Sequence, residues 1–246
     1  MASYVLSDWT VEILKNFAKI NNQVVFKAGN AQRVCNDTRN FIADIELTDP
    51  LPQECSLYDL NRLLGVIDIC RTDKLPTIAF GSSALIVKQA HGSVTIPYAH
   101  ADVVAAPPDT KFYMKKPIAS FDLPHELWTK IIKTAAVLQT TSLYIIVNAA
   151  GELIMKLVNE KDKGGDALGS ASYKMPNTQV YEAIENTWSV KFDVLHLMTG
   201  NYTVEVGEIG NTMASTTTLF GMFFRLNDPT KKVTYLTSGH VIKTRS

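Results

Sequence analysis

One stretch near the N-terminus, LSDWTVEILKNFAKIN (Leu6–Asn21), constrains the fold more than any other. Ser7 can accept hydrogen bonds from the free N–H groups of a helical first turn, and Asp8 suits the positive end of the helix dipole. Trp9, Ile13, Leu14, Phe17 and Ile20 recur at helical spacing and form one apolar stripe. At about 100° per residue, Lys15 falls nearly opposite the centre of that stripe, with Lys19, Glu12 and Asn16 flanking it. One face must be buried, and the other is basic to polar.

The pattern returns. Cys55–Cys70 (CSLYDLNRLLGVIDIC) puts Leu60, Leu63, Leu64 and Ile67 on a stripe, with Ser56 as the expected cap and Arg62 on the far side. Leu123–Gln139 (LPHELWTKIIKTAAVLQ) puts Leu127, Trp128, Ile131, Ala135 and Leu138 on a stripe, with Lys133 opposite and Lys130 beside it. Asp122 stands at its start, and Pro124 falls near the first turn, where proline is tolerated. A weaker fourth helix is expected at Asp193–Thr199 (DVLHLMT), ended by Gly200, with His196 on its outer face.

Strand signals fill the gaps. Gln23–Lys27 and Ala31–Cys35 read as a hairpin about Ala28-Gly29-Asn30, and Phe41–Leu47 alternates in polarity before Pro50 and Pro52. Thr77–Phe80, Ala84–Gln89 and Ser93–Tyr98 follow the second helix, with turns at Gly81 and Gly92. After the third come Ser142–Asn148 and Glu152–Asn159, a charged loop at Glu160–Asp166, then Leu168–Met175 and Thr187–Phe192. Tyr202–Val206, Thr216–Leu226 and Val233–Thr237 complete the set. The first half reads helix, three strands, helix, three strands, and the second follows the same order with one strand more after its first helix. The inference is an α+β chain of two similar domains, 1–100 and 117–246, each a sheet with two helices on one face. The stretch between them, 101–116, carries prolines and no steady period, and reads as an interdomain connector. Its Val103, Val104, Phe112, Tyr113 and Met114 are costly to leave in water, so some of them are expected to dock.

Composition narrows the chemistry. Lys+Arg and Asp+Glu balance at 24 each, so attraction to phosphate requires basic residues gathered on one surface. Three widely spaced cysteines, Cys35, Cys55 and Cys70, show no CxxC or Cys/His spacing, which argues against zinc and for reduced thiols. No apolar run approaches the ~20 residues of a membrane span, and the N-terminal stretch, with Asp8 and Glu12, does not read as a signal peptide. No phosphate-cradling glycine motif, GxSxG elbow or HExxH helix is present, and His91, His100, His125, His196 and His240 are scattered. No metal or cofactor is expected, and no catalytic residue can be named.

LKNFAKIN (Leu14–Asn21), LYDLNRLLGVI (Leu57–Ile67), DVVAAPP (Asp102–Pro108), IIKTAAVLQTTSLYIIV (Ile131–Val147) and Gly200-Asn201-Tyr202 form an ordered set spanning nearly the whole chain. That set resembles the DNA polymerase sliding clamps (processivity factors) of T-even-type bacteriophages. Extra residues around Lys161–Asp166 and near the C-terminus depart from the family. The resemblance implies a homotrimeric ring of two-domain DNA-clamp subunits, with sheets outside and twelve helices lining a hole around duplex DNA. It implies a non-enzymatic tether for the replicative polymerase in the cytoplasm of the infected bacterial host. An ATP-driven clamp loader would open the ring, which would also assist late viral transcription. On this reading Lys15, Lys19, Arg62, Lys130 and Lys133 line the hole, and His196 stands where a basic residue would be expected. Val103, Val104, Phe112, Tyr113 and Met114 border a pocket for the polymerase's C-terminal peptide. The family places the subunit contacts at the edges Ser93–Tyr98 and Leu168–Met175. A non-ring peptide-binding module and a hydrolase with dispersed catalytic residues are the alternatives. Mass in solution separates the first from a clamp, and turnover screening tests the second.

Overall fold

The computed structural model describes residues 3–71, 75–89, 91–100, 102–104, 106–148, 150–159, 169–182, 186–212 and 219–242. The chain divides into two units, Met1–Pro108 and Asp109–Ser246. The Glu160–Asp166 loop lies outside the described residues.

In the first unit the elements run β1 (Ser3–Val5), α1 (Asp8–Ile20), β2 (Val24–Phe26), β3 (Gly29–Cys35), β4 (Phe41–Leu51) and β5 (Cys55–Leu57). They continue as α2 (Leu60–Cys70), β6 (Thr77–Phe80), β7 (Ala84–Gln89) and β8 (Gly92–Pro97). The α1 stripe is buried except for Trp9, which is half-buried, and Ser7 caps the helix by accepting from the Thr10 amide at 3.2 Å. α1 packs on β3 and β4, α2 packs on β7, and the two helices pack on each other. β1, β6, β7 and β8 form an antiparallel sheet in that order. The expected hairpin of β2 with β3 does not form. β2 pairs instead with β5, and the Gln32 side chain bridges the bend by bonding both backbone groups of Lys27. That pairing shortens the second helix: Cys55–Leu57 is strand, so Ser56 is not the cap. Asp59 is, accepting from the Arg62 amide at 3.1 Å.

β8 ends its sheet, and the phase of its ladder is fixed by the Tyr98 amide, which donates to Ser83 O at 2.9 Å. Backbone groups alternate sides along a strand. Val94 and Ile96 therefore bond toward β7, whereas Ser93 and Thr95 turn their N–H and C=O groups outward. Pro97 also falls on the outward side, where a missing N–H is tolerated.

The second unit holds β9 (Phe112–Leu123), α3 (His125–Leu138), β10 (Ser142–Val147), β11 (Leu153–Val158), β12 (Ala171–Lys174), β13 (Gln179–Val180) and β14 (Asn186–Lys191). After them come β15 (Tyr202–Asn211), β16 (Leu219–Leu226) and β17 (Val233–Ile242). The strand order is β12-β11-β10-β14-β17-β16-β15-β9-β13. β12 ends this sheet. The Met175 amide bonds Leu153 O at 3.1 Å, so Ala171 and Tyr173 face β11 while Ser172 and Lys174 face outward. Gly207 and Gly221 pair across β15 and β16. A Cβ at either would lie 2.2 Å from a neighbouring strand's carbonyl oxygen, Lys116 O or Thr237 O. β9 and β15 slip register twice beside Gly207, so the long strands bend where side chains are missing.

Two expectations fail in this unit. The fourth helix is not formed: Phe192–Val194 makes one 3-10 turn, and the chain then runs irregularly to Gly200. The cause is tertiary. The Met198 amide donates to the Tyr235 hydroxyl at 3.2 Å, and Met198 O accepts from the Tyr202 hydroxyl at 2.7 Å. Both tyrosines are fully buried, so the Met198 amide that a helix would have bonded to Val194 O is already taken. The duplicated order of elements is therefore incomplete, with one α-helix in this unit among the described residues. Second, Phe112, Tyr113 and Met114 do not belong to an irregular connector. They are the first residues of β9 and pair with Asn211, Gly210 and Ile209.

Candidate nucleic-acid and partner interfaces

α1 and α2 run antiparallel because they are tied at both ends. At one end Asn22 O and Asn22 Oδ1 accept from the Leu60 and Asn61 amides at 2.9 and 2.8 Å, and Asn22 Nδ2 donates to Asp59 Oδ1 at 2.9 Å. At the other, Arg71 pairs with Asp8 at 2.9 Å. The first three N–H groups of α2 thus have protein acceptors, so this helix start does not offer itself to a phosphate. The bond from Asn22 is the main reason the Asp59 carboxyl sits below the usual range.

With the helices held this way, their basic side chains stand on the side away from the core. Lys19 and Arg62 are exposed and Lys15 is half-exposed. Lys15 is partly neutralised by Glu12 at 3.5 Å. In the second unit Lys130 and Lys133 are exposed on α3. Among the described residues, Lys19, Arg62, Lys130 and Lys133 form no ion pair. α3 is not capped by Asp122. The Asn201 side chain accepts from the His125 amide at 2.8 Å, while Asp122 accepts from Asn177 at 2.7 Å. Tyr173 of β12 donates to Thr134 at 2.7 Å and fixes α3 beside that edge. Ile69 near the end of α2 and Val137 near the end of α3 are 82% and 81% exposed. His196 lies in the irregular stretch after the 3-10 turn, so it is not on a helix face.

The connector residues split. Val103 is 57% exposed, whereas Val104 is 3% exposed and belongs to the core. Tyr113 is exposed on β9, and Phe112 and Met114 are half-buried. Sequence reasoning missed the groups that hold these pieces still: Asn22, Asp59 and Asn201 as caps, and Arg33 as a tie to Pro108 O at 2.6 Å. Asn and Asp beside a helix start carry a readable signal, but the partner across space does not.

Reactive groups are few. Cys35, Cys55 and Cys70 are free and buried, and burial pushes the Cys55 thiol up to about 12, far from thiolate chemistry at neutral pH. Among the described residues no group of three or more His, Cys, Asp or Glu side chains could hold a metal ion, and no helix is long and apolar enough to cross a membrane.

No protein-family model matches the chain. Three curated proteins named sliding clamp do. That of Vibrio phage KVP40 is 27% identical over 211 residues, covering 83% of this chain and 91% of the relative. That of Escherichia phage RB69 is 25% identical over 221 residues, covering 85% and 90%. That of Enterobacteria phage T4 is 26% identical over 209 residues, covering 80% and 84%. Among solved structures, the PCNA of A. fulgidus, bound to the C-terminal region of FEN-1, superimposes with a TM-score of 0.67 at 14% identity, covering 100% of both chains. The PCNA of Thermococcus kodakaraensis gives 0.65 at 13% identity over 97% of this chain and 99% of that one. The fold is the DNA-clamp α+β fold, and the resemblance to the T-even-type clamps extends along most of the chain.

Proposed function

We infer that this chain is a DNA sliding clamp, a ring subunit that encircles duplex DNA and tethers the replicative polymerase for processive synthesis. The observation that carries this reading is coverage: the whole chain, rather than one module of it, has the clamp fold, and phage clamps are its relatives in sequence. Such a protein works topologically. It makes and breaks no bond, and the tether holds because the ring is closed.

DNA is held without being gripped. Lys15, Lys19, Arg62, Lys130 and Lys133 supply long flexible cations that meet phosphates at any register, carrying no sequence information. Their support is exposure on helix faces opposite the buried stripes. Neutral overall charge fits a surface whose basic side faces DNA and whose remainder does not.

Self-association closes the ring head to tail. We assign the contact to the outward backbone groups of β8 in one copy and β12 in the next, with Val137 on α3, the helix that Tyr173 ties to β12, as apolar cover. Three copies per ring is the family expectation. The connector receives a short C-terminal peptide of the polymerase, with Val103 as its exposed apolar side chain and Val104 as an anchor of the segment itself. An ATP-driven loader opens the ring, the loaded clamp assists late viral transcription, and the place of action is the cytoplasm of the infected bacterium.

Two measurements test the reading. Light scattering across micromolar concentrations should give a closed oligomer. Primer extension with the polymerase of the same phage, a loader and ATP should lengthen products at constant enzyme when the protein is added. A monomer at all concentrations, with unchanged product length, overturns the clamp in favour of a non-ring peptide-binding module.

A further inference from the structure

We propose that Arg33 is a positioning residue that seats the connector for partner capture, an inference that rests on the connector's reading as the partner site. Arg33 on β3 stands directly opposite Asp44 on β4. Its guanidinium forks the carboxylate, Nε to Oδ1 and Nη2 to Oδ2, the latter at 2.7 Å. The remaining terminal nitrogen, Nη1, donates to the Pro108 carbonyl at 2.6 Å. The Arg33 side chain is 19% exposed and Asp44 is 48% exposed, so the guanidinium lies largely under cover while the carboxylate keeps one side in water, and the bonds are charge-assisted.

The geometry stakes down a segment that has no ladder of its own. The described residues between His100 and Asp109 belong to no helix or strand. They are fixed at three points: the Val103 amide bonds His100 O at 3.0 Å, Val104 is in the core, and Pro108 O is held by Arg33. Val103, whose amide is one of these stakes, turns its side chain outward, next to buried Val104. A peptide tail loses its own freedom on binding, and a loose connector would add a second ordering cost. Arg33 removes that cost by holding the carbonyl in advance. Arg33 uses three separate nitrogens for the two carboxylate oxygens and the Pro108 carbonyl, a spread that the single ammonium nitrogen of lysine does not reproduce, so lysine is not equivalent here. The occupant this surface suits is an extended peptide presenting bulky apolar side chains to Val103.

The test uses the full-length assembled protein, a synthetic peptide matching the C-terminal tail of the polymerase of the same phage, and the variants Arg33→Lys and Arg33→Ala. Calorimetry reads affinity, thermal melting reads stability, and hydrogen exchange reads the amides of residues 102–111. Arg33→Lys keeps a cation beside Asp44 and is expected to melt like wild type, yet to bind about tenfold more weakly and to exchange faster in the connector. Arg33→Ala should lose at least as much affinity. Wild-type affinity in both variants overturns the proposal. So does a loss of affinity that appears only where melting temperature also falls, since that is a purely structural role. No binding to the wild-type protein overturns the connector reading itself, and is told apart because the variants then have nothing to lose.

Discussion

Thr95→Pro at the outer edge of β8 separates assembly from folding. The Tyr98–Ser83 bond sets the ladder so that the Thr95 N–H points away from β7. Proline there removes a donor that the subunit itself does not use. Across a head-to-tail contact the available groups are those of Ser93 and Thr95 on one edge and of Ser172 and Lys174 on the other. Two outward residues pairing with two others give roughly four hydrogen bonds, each worth about 1 kcal/mol net. Removing the Thr95 donor deletes one of them and strands a partner carbonyl, about 1–3 kcal/mol per contact. That weakens each contact by about 5- to 150-fold. The subunit's melting temperature should stay within a few degrees of wild type, because the β7 ladder is intact. Val94→Pro is the control: its N–H faces β7, so it should destabilise the fold itself. Sedimentation velocity over a concentration series gives the distribution of masses. If Thr95→Pro assembles at wild-type concentrations while remaining folded, β8 is not the contact edge and the phase reasoning has been applied to the wrong strand.

Further outcomes follow from individual contacts. Reversing Arg62, Lys133 and Lys15 to Glu should leave folding intact and reduce loader-dependent retention on DNA at low salt. Lys15 should contribute least because Glu12 already faces it, and equal retention by the triple variant would remove these residues from the DNA path. Tyr235→Phe leaves the half-buried Met198 amide without its acceptor and should cost about 1 kcal/mol or more in urea unfolding; an unchanged midpoint would mean that another group takes over. Asp49 accepts from the Ser7 amide and the Thr10 hydroxyl at 2.7 and 2.8 Å. Burial alone would raise its carboxyl, but these bonds outweigh it and hold the group below its ordinary value. A lowered carboxyl contributes stability above about pH 4 and loses it as pH falls through the folded value. Asp49→Asn should therefore be less stable than wild type at neutral pH, with the gap closing on acidification; a gap constant down to strongly acid pH would contradict the assignment.

How far the sequence could be read depended on the range of the forces involved. The α1 and α2 stripes were legible because helical burial repeats locally, and Leu60, Leu63, Leu64 and Ile67 are all buried. The exposure of Lys19, Arg62, Lys130 and Lys133 follows from the same phase. What failed was decided by partners distant in the chain. Cys55–Leu57 has helical neighbours in sequence, yet β2 claims it as a strand. DVLHLMT carries a helical pattern, yet two tyrosine hydroxyls take the backbone groups of Met198. Phe112–Met114 looked irregular after the prolines because its ladder partner comes from residues 209–211. The caps at Asn22 and Asn201 and the Arg33 tie were invisible for the same reason: each residue type is unexceptional until the fold brings its acceptor or donor alongside.

Pro97 has a further consequence at the outward edge of β8. On the proposed function the ring opens for loading and exposes strand edges each time, and a bare edge is a template on which other chains can polymerise. β8 is six residues long and β12 four. Pro97 leaves one outward position of β8 without a donor, and Lys174 at an outward position of β12 is an ion-paired polar residue, bonded to Glu152, rather than an apolar one. A partner strand sliding along β8 in steps of two, the only slips that keep its side chains on the same face, meets the proline and loses a bond. The same strand can then complete one specific neighbour while making a poor seed for aggregation, so the opened form should stay in solution long enough to close again.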